Sequence, residues 1–409
     1  MKVRFSIFLS LFFGMIGSSA LAANPSLVID ANSGEVLFDE GSTRPWYPAS
    51  LTKLMTAYVA FTAIKQGRVT LDTPFVMSAR AARMPPSKMA FNPGTEVTLD
   101  NALKMLMVKS ANDIAIMIAE GISGSVEDFA QEMNATAARL GMTNSHFVNP
   151  NGLHDPHHVS SARDLAIIAQ ALYKEFPAYS GLYSIGALQL GTTIIPTHNG
   201  LIGRYPGADG MKTGFTCPAG FNVVASAQRN DRRLITVVLG YPNAKLRTLK
   251  AASLLDAGFS APGTGRVVKD LKNVPGDPPN LRADVCGKNR KQYAQEDFGA
   301  ETHQGTNNEN AVPFAANDDQ MRAALFNKSE RPVFEPVTVF VGRIPGWLGM
   351  VAQARTSADP QVKQNINGNG AITRKDTHKA KPKTAKKLKT LVKPERHSVL
   401  IPDSRYPKM

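Results

Sequence analysis

A serine and a lysine one helical turn apart can supply a nucleophile and the base that activates it. Ser50 and Lys53 begin a predicted helix at residues 50–65, and this spacing places both side chains on the same side. A serine hydroxyl is a poor nucleophile until a neighbouring amine, kept neutral by desolvation and a nearby cation, accepts its proton. The pair also occurs by chance, and the simpler alternative is a helix-capping serine followed by a solvated lysine.

A second pair of polar residues, Ser110 and Asn112, lies on a short turn between predicted helices at residues 99–107 and 113–121. On such a turn both side chains can face a cleft, where the hydroxyl passes a proton to a leaving amine and the amide holds a substrate carbonyl. The alternative is that Asn112 caps the helix that follows it.

A third motif, Lys212-Thr213-Gly214, comes just before a predicted strand at residues 221–227. A cation and a hydroxyl on an edge strand can bind a carboxylate, and the glycine lets a substrate backbone approach and pair with the strand. The alternative is a surface strand whose lysine protects the sheet edge from aggregation.

The order and spacing of the three motifs are more specific than any motif alone. Ser110 follows Ser50 by 60 residues, and Lys212 follows Ser110 by 102 residues. With this signature the chain resembles the penicillin-recognising serine enzymes. More closely, it resembles the low-molecular-mass penicillin-binding proteins that are D-alanyl-D-alanine carboxypeptidases. The supporting stretches are residues 48–56, 110–113, 149–153, 161–166 and 209–216, within a resemblance that covers roughly residues 24–262.

The resemblance implies a mixed α/β (α+β) structure of the serine β-lactamase/transpeptidase-like fold, an antiparallel sheet flanked by helices beside a mainly helical subdomain. It also implies that Ser50 attacks the carbonyl between two terminal D-alanines and that Lys53 acts as the base. Ser110 and Asn112 would relay a proton and position the substrate, in a reaction that needs no cofactor and no metal. The substrate-binding positions that it implies are Lys212, Thr213, Gly214, Phe215, Thr216 and Arg247, and the backbone N–H groups of Ser50 and Phe215 would form the oxyanion hole.

The predicted elements agree with such an arrangement. Strands at residues 27–30 and 35–38 flank an Asn/Gly turn and predict a hairpin. Helical patterns follow, at residues 50–65, 99–107, 113–121, 126–140 and 162–172. Two further strands, at residues 221–227 and 234–239, precede a closing helix at 243–258. Strands at both ends with helices between them predict an antiparallel sheet that carries a helical insertion.

The N-terminus predicts export. Residues 1–22 combine a basic start, an apolar run and a small-residue cleavage site after Ala22, which is the pattern of a secretory signal peptide. The alternative is an uncleaved membrane anchor, but the apolar run is shorter than the roughly 20 residues that a spanning helix needs. We therefore expect a periplasmic protein that has crossed the inner membrane. The chain has two cysteines, Cys217 and Cys286, which could pair there, but the second lies in a polar segment and the sequence does not decide whether they form a disulfide.

The charge is concentrated at the C-terminus. The formal net charge is +14, and residues 373–409 hold 12 Lys and Arg against three acids. We therefore expect no nucleic-acid partner for the folded part, and a basic tail that touches the membrane or cell-wall polymers or only keeps the protein soluble. Residues 263–372 read as a low-complexity linker with one short strand near 336–342.

Several readings remain open. The expected partners are peptidoglycan stem peptides, with β-lactam antibiotics as inhibitors and a role in cell-wall biogenesis and cell shape. A D,D-endopeptidase would use the same residues to cut cross-links. A β-lactamase is disfavoured because the chain lacks the Glu-x-x-Leu-Asn segment of class A enzymes. A hypothesis from a different class of function is a wall-binding protein whose catalysis is vestigial. His154, Asp155, His157 and His158 look like metal ligands, but no Cys or Glu flanks them at ligand spacing, and we predict no metal site.

Overall fold

The computed structural model describes residues 24–299, 325 and 332–355. Its strands are β1 (Ser26–Asp30), β2 (Val36–Glu40), β3 (Pro74–Val76), β4 (Glu96–Thr98), β5 (Ala187–Leu190), β6 (Thr193–Pro196), β7 (Ala208–Thr216), β8 (Gly220–Arg229), β9 (Arg232–Tyr241) and β10 (Val337–Val339). Its α-helices are α1 (Lys53–Lys65), α2 (Ala79–Ala82), α3 (Leu99–Val108), α4 (Asn112–Ser123), α5 (Val126–Leu140), α6 (Ala162–Glu175), α7 (Ala244–Ser260), α8 (Arg282–Val285) and α9 (Arg290–Gly299). The described residues also contain three 3-10 segments: Ala49–Thr52, Pro177–Ser184 and Val268–Asp270.

The central sheet has five antiparallel strands in the order β2-β1-β9-β8-β7. Successive side chains of a strand point to opposite faces, and both faces of this sheet are apolar. Leu27 and Ile29 belong to the core that contains α6, whereas Val28 belongs to the core that contains α7. The two helices therefore cover opposite faces of the sheet, and β7 is left at its edge, where the third sequence motif was predicted to lie.

The helices α1 to α5 form the second part of the fold, with α4 near its centre. Ile114, Met117 and Ile118 of α4 are completely buried, and α4 contacts α1, α2, α3 and α5. Serine side chains set two helix starts, because Ser125 accepts from the backbone N–H of Asp128 and Ser161 accepts from that of Asp164. The predicted hairpin, the long helices and the helical insertion into an antiparallel sheet are confirmed.

Residues 263–299 differ from the predicted linker. Cys217, directly after β7, forms a disulfide with Cys286, a pairing that the sequence left undecided. Leu281 donates its backbone N–H to Pro218 O, and the Tyr293 hydroxyl donates to Gly240 O at 2.6 Å. These contacts hold a polar segment against the end of the sheet at which β7 and β9 finish, which the composition of the segment did not indicate.

Residues 332–355 also pack on the domain. The strand predicted near 336–342 is present as β10, which pairs in parallel with β5. Farther along, Ala352 exchanges backbone hydrogen bonds with the β3 residues Pro74 and Val76. Arg343 bonds Glu96, and Arg355 forms an ion pair with Asp128 at 2.8 Å. The two longer described stretches of this range, residues 263–299 and 332–355, therefore both contact the rest of the fold.

Within residues 24–299, 325 and 332–355, no helix has both the length and the apolar character needed to cross a membrane. The predicted signal peptide at 1–22 and the predicted basic tail at 373–409 lie outside the described residues.

Candidate active site

Ser50 lies on a 3-10 turn, Ala49–Thr52, that leads directly into α1. The sequence predicted one continuous helix from Ser50; the chain instead turns more tightly there, and Lys53 is the first α-helical residue. The Lys53 Nζ lies 3.0 Å from the Ser50 Oγ. Lys53 is fully buried, and the N-caps of the 3-10 turn and of α1 are Pro48 and Thr52, so the alternative of a capping serine and a solvated lysine was wrong.

The surroundings of Lys53 favour a neutral amine. Its Nζ donates to the side-chain oxygen of Asn112 at 2.8 Å and to the backbone carbonyl of Asn151 at 2.7 Å. Burial, and then the charge of Lys212, hold the pKa of Lys53 well below its usual value, while Asp113 acts in the opposite direction. A neutral amine has two N–H bonds, and two carbonyl oxygens accept them, so its lone pair is left to face the Ser50 hydroxyl.

The second motif lies on the opposite wall. The N-cap of α4 is Ala111, not Asn112, so the capping alternative was wrong. Asn112 is the first residue of the helix, and its amide donates to Pro85 O at 3.0 Å while its oxygen accepts from Lys53. Ser110 has a left-handed backbone, with φ of +59°, and among the described residues its buried hydroxyl has no hydrogen-bond partner. A buried donor in that position is available to a substrate.

Two residues that hold this side of the site in place, Asp113 and Asn151, had no predicted role. The carboxylate of Asp113 accepts the backbone N–H groups of Met89 and Ala90, which anchors the loop that also supplies Pro85 O. Asn151 contributes its backbone carbonyl from the turn at residues 149–152. The Asn-Pro-Asn-Gly composition of that turn is its only sequence signal, and it does not show that a carbonyl meets a lysine 98 residues away.

The edge strand β7 closes the site on the third side. Lys212 is buried and its Nζ donates to Thr213 O at 2.9 Å, so the alternative of a solvated edge lysine was wrong. Burial and the charge of Arg247 lower the pKa of Lys212 to about 7. A Cβ on Gly214 would lie 3.0 Å from Pro48 O and 3.1 Å from the backbone nitrogen of Ser50. Glycine therefore lets β7 pass directly beside the turn that carries the serine.

The remaining predicted positions surround this strand. Thr213 is buried, and Phe215 is 43% exposed and packs against Phe221. The Thr216 hydroxyl accepts from the backbone N–H of Ala219, which holds the turn after β7. Arg247 is buried on α7; its guanidinium donates to Asn222 O at 3.5 Å, and burial lowers its pKa to about 10.

The arrangement places a serine beside a buried lysine whose pKa is strongly lowered, with Lys212 and Arg247 close enough to act electrostatically. Such a site suits nucleophilic attack on a carbonyl in a ligand that also bears a carboxylate. No group of three or more His, Cys, Asp or Glu side chains within residues 24–299, 325 and 332–355 is placed to hold a metal ion.

The fold is similar to that of solved penicillin-binding proteins. Penicillin-binding protein 5 from Haemophilus influenzae matches with a TM-score of 0.57 and 37% identity, over 58% of this chain and 71% of that one. Penicillin-binding protein D2 from Listeria monocytogenes, solved in an ampicillin-bound form, matches with a TM-score of 0.53 and 27% identity, over 59% of this chain and 99% of that one.

The sequence profile described as D-alanyl-D-alanine carboxypeptidase, the peptidase S11 family, matches residues 15–243. The chain belongs to this family. It is 37% identical to the D-alanyl-D-alanine carboxypeptidase DacF of Bacillus subtilis over 258 residues, and 38% identical to DacA of Haemophilus influenzae over 260 residues. Each match covers 62% of this chain and 66% of the relative, slightly less than two thirds of the relatives' length.

Proposed function

We propose that this chain is a serine D-alanyl-D-alanine carboxypeptidase that removes the terminal D-alanine from peptidoglycan pentapeptides. The observation that carries the proposal is the placement of the Lys53 Nζ, 3.0 Å from the Ser50 Oγ and bonded on its other sides to Asn112 and Asn151. This geometry makes the amine a proton acceptor aimed at one hydroxyl.

In the first half of the reaction Ser50 attacks the carbonyl of the penultimate D-alanine while Lys53 takes its proton. The backbone N–H groups of Ser50 and Phe215 receive the developing negative charge on the carbonyl oxygen, a contribution of about 3 kcal/mol for each donor. Ser110, whose hydroxyl has no partner among the described residues, relays the proton that Lys53 has taken: it donates its own proton to the nitrogen of the leaving D-alanine and is reprotonated from Lys53. Asn112 holds the substrate in register with its amide.

The terminal carboxylate of the substrate is bound on the β7 side. Lys212 and Arg247 supply positive charge there, and Thr213 and Thr216 supply hydroxyl groups. Gly214 lets the substrate backbone lie along the strand. In the second half of the reaction water attacks the ester on Ser50 and releases the shortened peptide.

β-Lactams fit the same requirements, since they combine a reactive amide with a carboxylate, and the Listeria monocytogenes relative is described in ampicillin-bound and cefotaxime-bound forms. We infer that such compounds acylate Ser50 and are released slowly, because the chain lacks the Glu-x-x-Leu-Asn segment that drives water onto the acyl-enzyme in class A β-lactamases. They would therefore act as inhibitors.

Peptide mapping after incubation with a fluorescent penicillin tests the assignment. We expect the label on the peptide that contains Ser50 and no label in Ser50→Ala or Lys53→Met. Ser184→Ala, which removes an exposed hydroxyl, is the matched control and should label normally. Wild-type protein that remains unlabelled, or that carries the label on another residue, contradicts the proposal.

The substrate is tested separately. Release of D-alanine from a pentapeptide, with little cleavage of a cross-linked dimer, is expected for a carboxypeptidase. Cleavage of the dimer alone would assign the same serine to D,D-endopeptidase activity instead.

We also propose that the protein works in the periplasm in cell-wall biogenesis and control of cell shape, after residues 1–22 have been removed. The net charge of +9 in residues 373–409 favours contact with anionic lipid or wall polymers, at about 1 kcal/mol per charge near a lipid surface. Cell fractionation and N-terminal sequencing test the export, with Ala23 expected as the first residue. Sedimentation with anionic vesicles, with and without residues 373–409, tests the tail.

A further inference from the structure

His158 is a buried histidine for which the proposed mechanism has no role. It lies on the segment between the turn at residues 149–152 and α6, and only 2% of its surface is exposed. Its Nδ1 lies 3.1 Å from the backbone nitrogen of Val148 and its Nε2 lies 2.8 Å from the Thr52 Oγ1. Thr52 lies two residues after Ser50 and directly before Lys53, so the histidine contacts the turn that carries the serine.

The donor and the acceptor of each of these hydrogen bonds can be assigned in only one way. A backbone N–H can only donate, so the Nδ1 of His158 accepts the bond from Val148 and carries no proton. Burial lowers the pKa of His158 to about 3, so at neutral pH the ring is uncharged and its single N–H is on Nε2. That N–H donates to the Thr52 oxygen, and the Thr52 hydroxyl in turn donates to the carbonyl of Ala49 at 2.8 Å.

The last acceptor in this series is the carbonyl of Ala49, a residue with an unusual backbone conformation. Ala49 has a φ of +49°, a left-handed conformation that costs a residue with a Cβ about 1–2 kcal/mol. Its carbonyl is also closely packed, since a Cβ on Gly152 would lie 1.8 Å from the Ala49 oxygen and 2.9 Å from the Thr52 Oγ1. The hydrogen bond from Thr52 therefore holds a peptide group that would relax without it.

That peptide group joins Ala49 to Ser50, and its other end is the Ser50 N–H. Because a peptide unit is planar, fixing the direction of its oxygen also fixes the direction of its N–H. A hydrogen bond to the oxygen polarises the amide and makes the N–H a stronger donor. The Ser50 nitrogen lies beside β7, 3.1 Å from the place that a Cβ of Gly214 would take, on the side where the substrate carbonyl would enter.

We propose that His158 and Thr52 are positioning residues that aim and strengthen the Ser50 N–H as an oxyanion donor, through the directed series Val148 N–H, His158, Thr52, Ala49 carbonyl. This inference rests on the proposed function, in which the Ser50 N–H stabilises the tetrahedral intermediate. Neither side chain contacts the substrate, and both act through the Ala49–Ser50 peptide.

The acylation rate of Thr52→Val with penicillin is the first test, because valine keeps the shape of threonine and removes the hydroxyl. We expect acylation to slow roughly 10- to 100-fold, less than the loss of an oxyanion donor itself, with little change in the non-covalent dissociation constant. With the pentapeptide, kcat should fall while KM stays near the wild-type value. Thr52→Ser keeps the hydroxyl and should restore acylation to within about threefold.

Thr62→Val is the matched control, because it removes another hydroxyl of α1 that donates to a backbone carbonyl, that of Tyr58 at 2.9 Å, away from the turn. It should acylate like the wild type. Thr52→Val with wild-type acylation, or Thr52→Ser as slow as Thr52→Val, overturns the inference. If wild-type protein is not acylated at Ser50, the proposed function itself fails. Failure of this inference alone looks different, because the wild type is then acylated and Thr52→Val is acylated equally fast.

His158 is tested by two further measurements. His158→Asn keeps an oxygen for the Val148 N–H but is too short to reach Thr52, and should slow acylation as Thr52→Val does; wild-type acylation overturns the role of His158. Nitrogen-15 NMR of the wild-type imidazole requires no variant to fold. We expect a proton on Nε2 and none on Nδ1 from pH 5 to 8, and the reverse tautomer or a charged ring overturns the directed series.

Discussion

Lys53, Lys212 and Arg247 bring three basic side chains together in the candidate site, and all three are buried. Burial is the largest cause of the lowered pKa of each, and the positive charges of Lys212 on Lys53 and of Arg247 on Lys212 lower them further. Grouping buried cations opposes folding, because each loses hydration and repels its neighbours. We infer that the cluster is present for its chemistry, since perturbed groups of this kind concentrate at active sites.

The pKa values predict a bell-shaped pH profile for kcat/KM. In the proposed mechanism acylation needs Lys53 neutral, so the rate should rise with pH through the lowered pKa of Lys53, and this acid limb should lie far below the usual lysine range. Carboxylate binding needs Lys212 charged, and with a pKa of about 7 it loses its proton as the pH rises through neutrality. We therefore expect kcat/KM to fall above about pH 7, measured with penicillin or pentapeptide over pH 4–10.

Lys212→Arg is the control for this profile, because a guanidinium stays charged throughout that range. Its alkaline limb should move upward or disappear, even if overall activity is lower. An unchanged alkaline limb in Lys212→Arg would show that another group titrates.

At the scale of single residues, the sequence predicted contacts between residues that are close together in the chain. Ser50 and Lys53 are three residues apart on one turn, and their pairing became specific once the motifs at Ser110 and Lys212 were considered with it. The sequence carried no comparable signal for the Asn151 carbonyl or for His158, whose partners Lys53 and Thr52 lie 98 and 106 residues away. Which backbone carbonyl faces a buried amine is decided by the packing of the whole domain, and not by any short pattern.

Two elements determine the width of the cleft: the 3-10 turn Ala49–Thr52 and the edge strand β7. The Asn222 side chain of β8, the strand next to β7, anchors the chain just before the turn: its amide donates to Tyr47 O at 3.1 Å and to Pro48 O at 3.4 Å, and its oxygen accepts from the Gly240 N–H of β9 at 2.8 Å. The turn is thus attached to the neighbouring strand as well as to α1, and β7 approaches it through Gly214.

Gly214→Ala tests this close approach. The added Cβ would lie 3.0–3.2 Å from Pro48 O and from the Ser50 and Leu51 nitrogens, which are backbone atoms that cannot swing away. We expect β7 to shift outward by a few tenths of an ångström and penicillin acylation to fall about tenfold or more, since active-site geometry is sensitive to displacements of this size. The acylation rate and the unfolding temperature are measured together.

Gly94→Ala provides the comparison. Gly94 has a φ of +86° and open space around it, so alanine there carries a conformational cost of about 1 kcal/mol but touches nothing. It should lower the unfolding temperature and leave acylation unchanged. Equal acylation in Gly214→Ala and Gly94→Ala would contradict the role given to the strand.

Among the elements, the long periodic helices and the central hairpins were predictable. The strands β3, β4, β5 and β6 were not, because each has only three or four residues and none shows a clear alternation. Their pairing depends on neighbours supplied by tertiary structure. The start of α1 was placed at Ser50 because a 3-10 turn and an α-helix have the same composition signals.

For the molecule as a whole, the central domain extends farther along the chain than its apolar core indicates. Residues 263–299 are rich in Gly, Pro and charged side chains, a composition that predicts a linker because it buries little surface. Leu281 and Val285 are buried nonetheless, and the disulfide to Cys217 holds them beside the strand that carries Lys212 and Gly214. A covalent tether replaces the core that this segment lacks, and neither cysteine has a local pattern that pairs it with the other.

The disulfide should therefore contribute measurable stability to the domain. It closes a loop between residues 69 positions apart, and the loss of chain entropy in the unfolded state gives an upper value of about 4 kcal/mol. We expect reduction to lower the unfolding temperature by roughly 10 °C, measured by circular dichroism with and without reductant, while penicillin still labels Ser50. Because Cys217 and Cys286 are the only cysteines of the chain, a Cys217→Ser, Cys286→Ser double variant should unfold at the lower temperature in both buffers. Wild-type protein that unfolds at the same temperature with and without reductant would mean that the bond does not hold the segment in place.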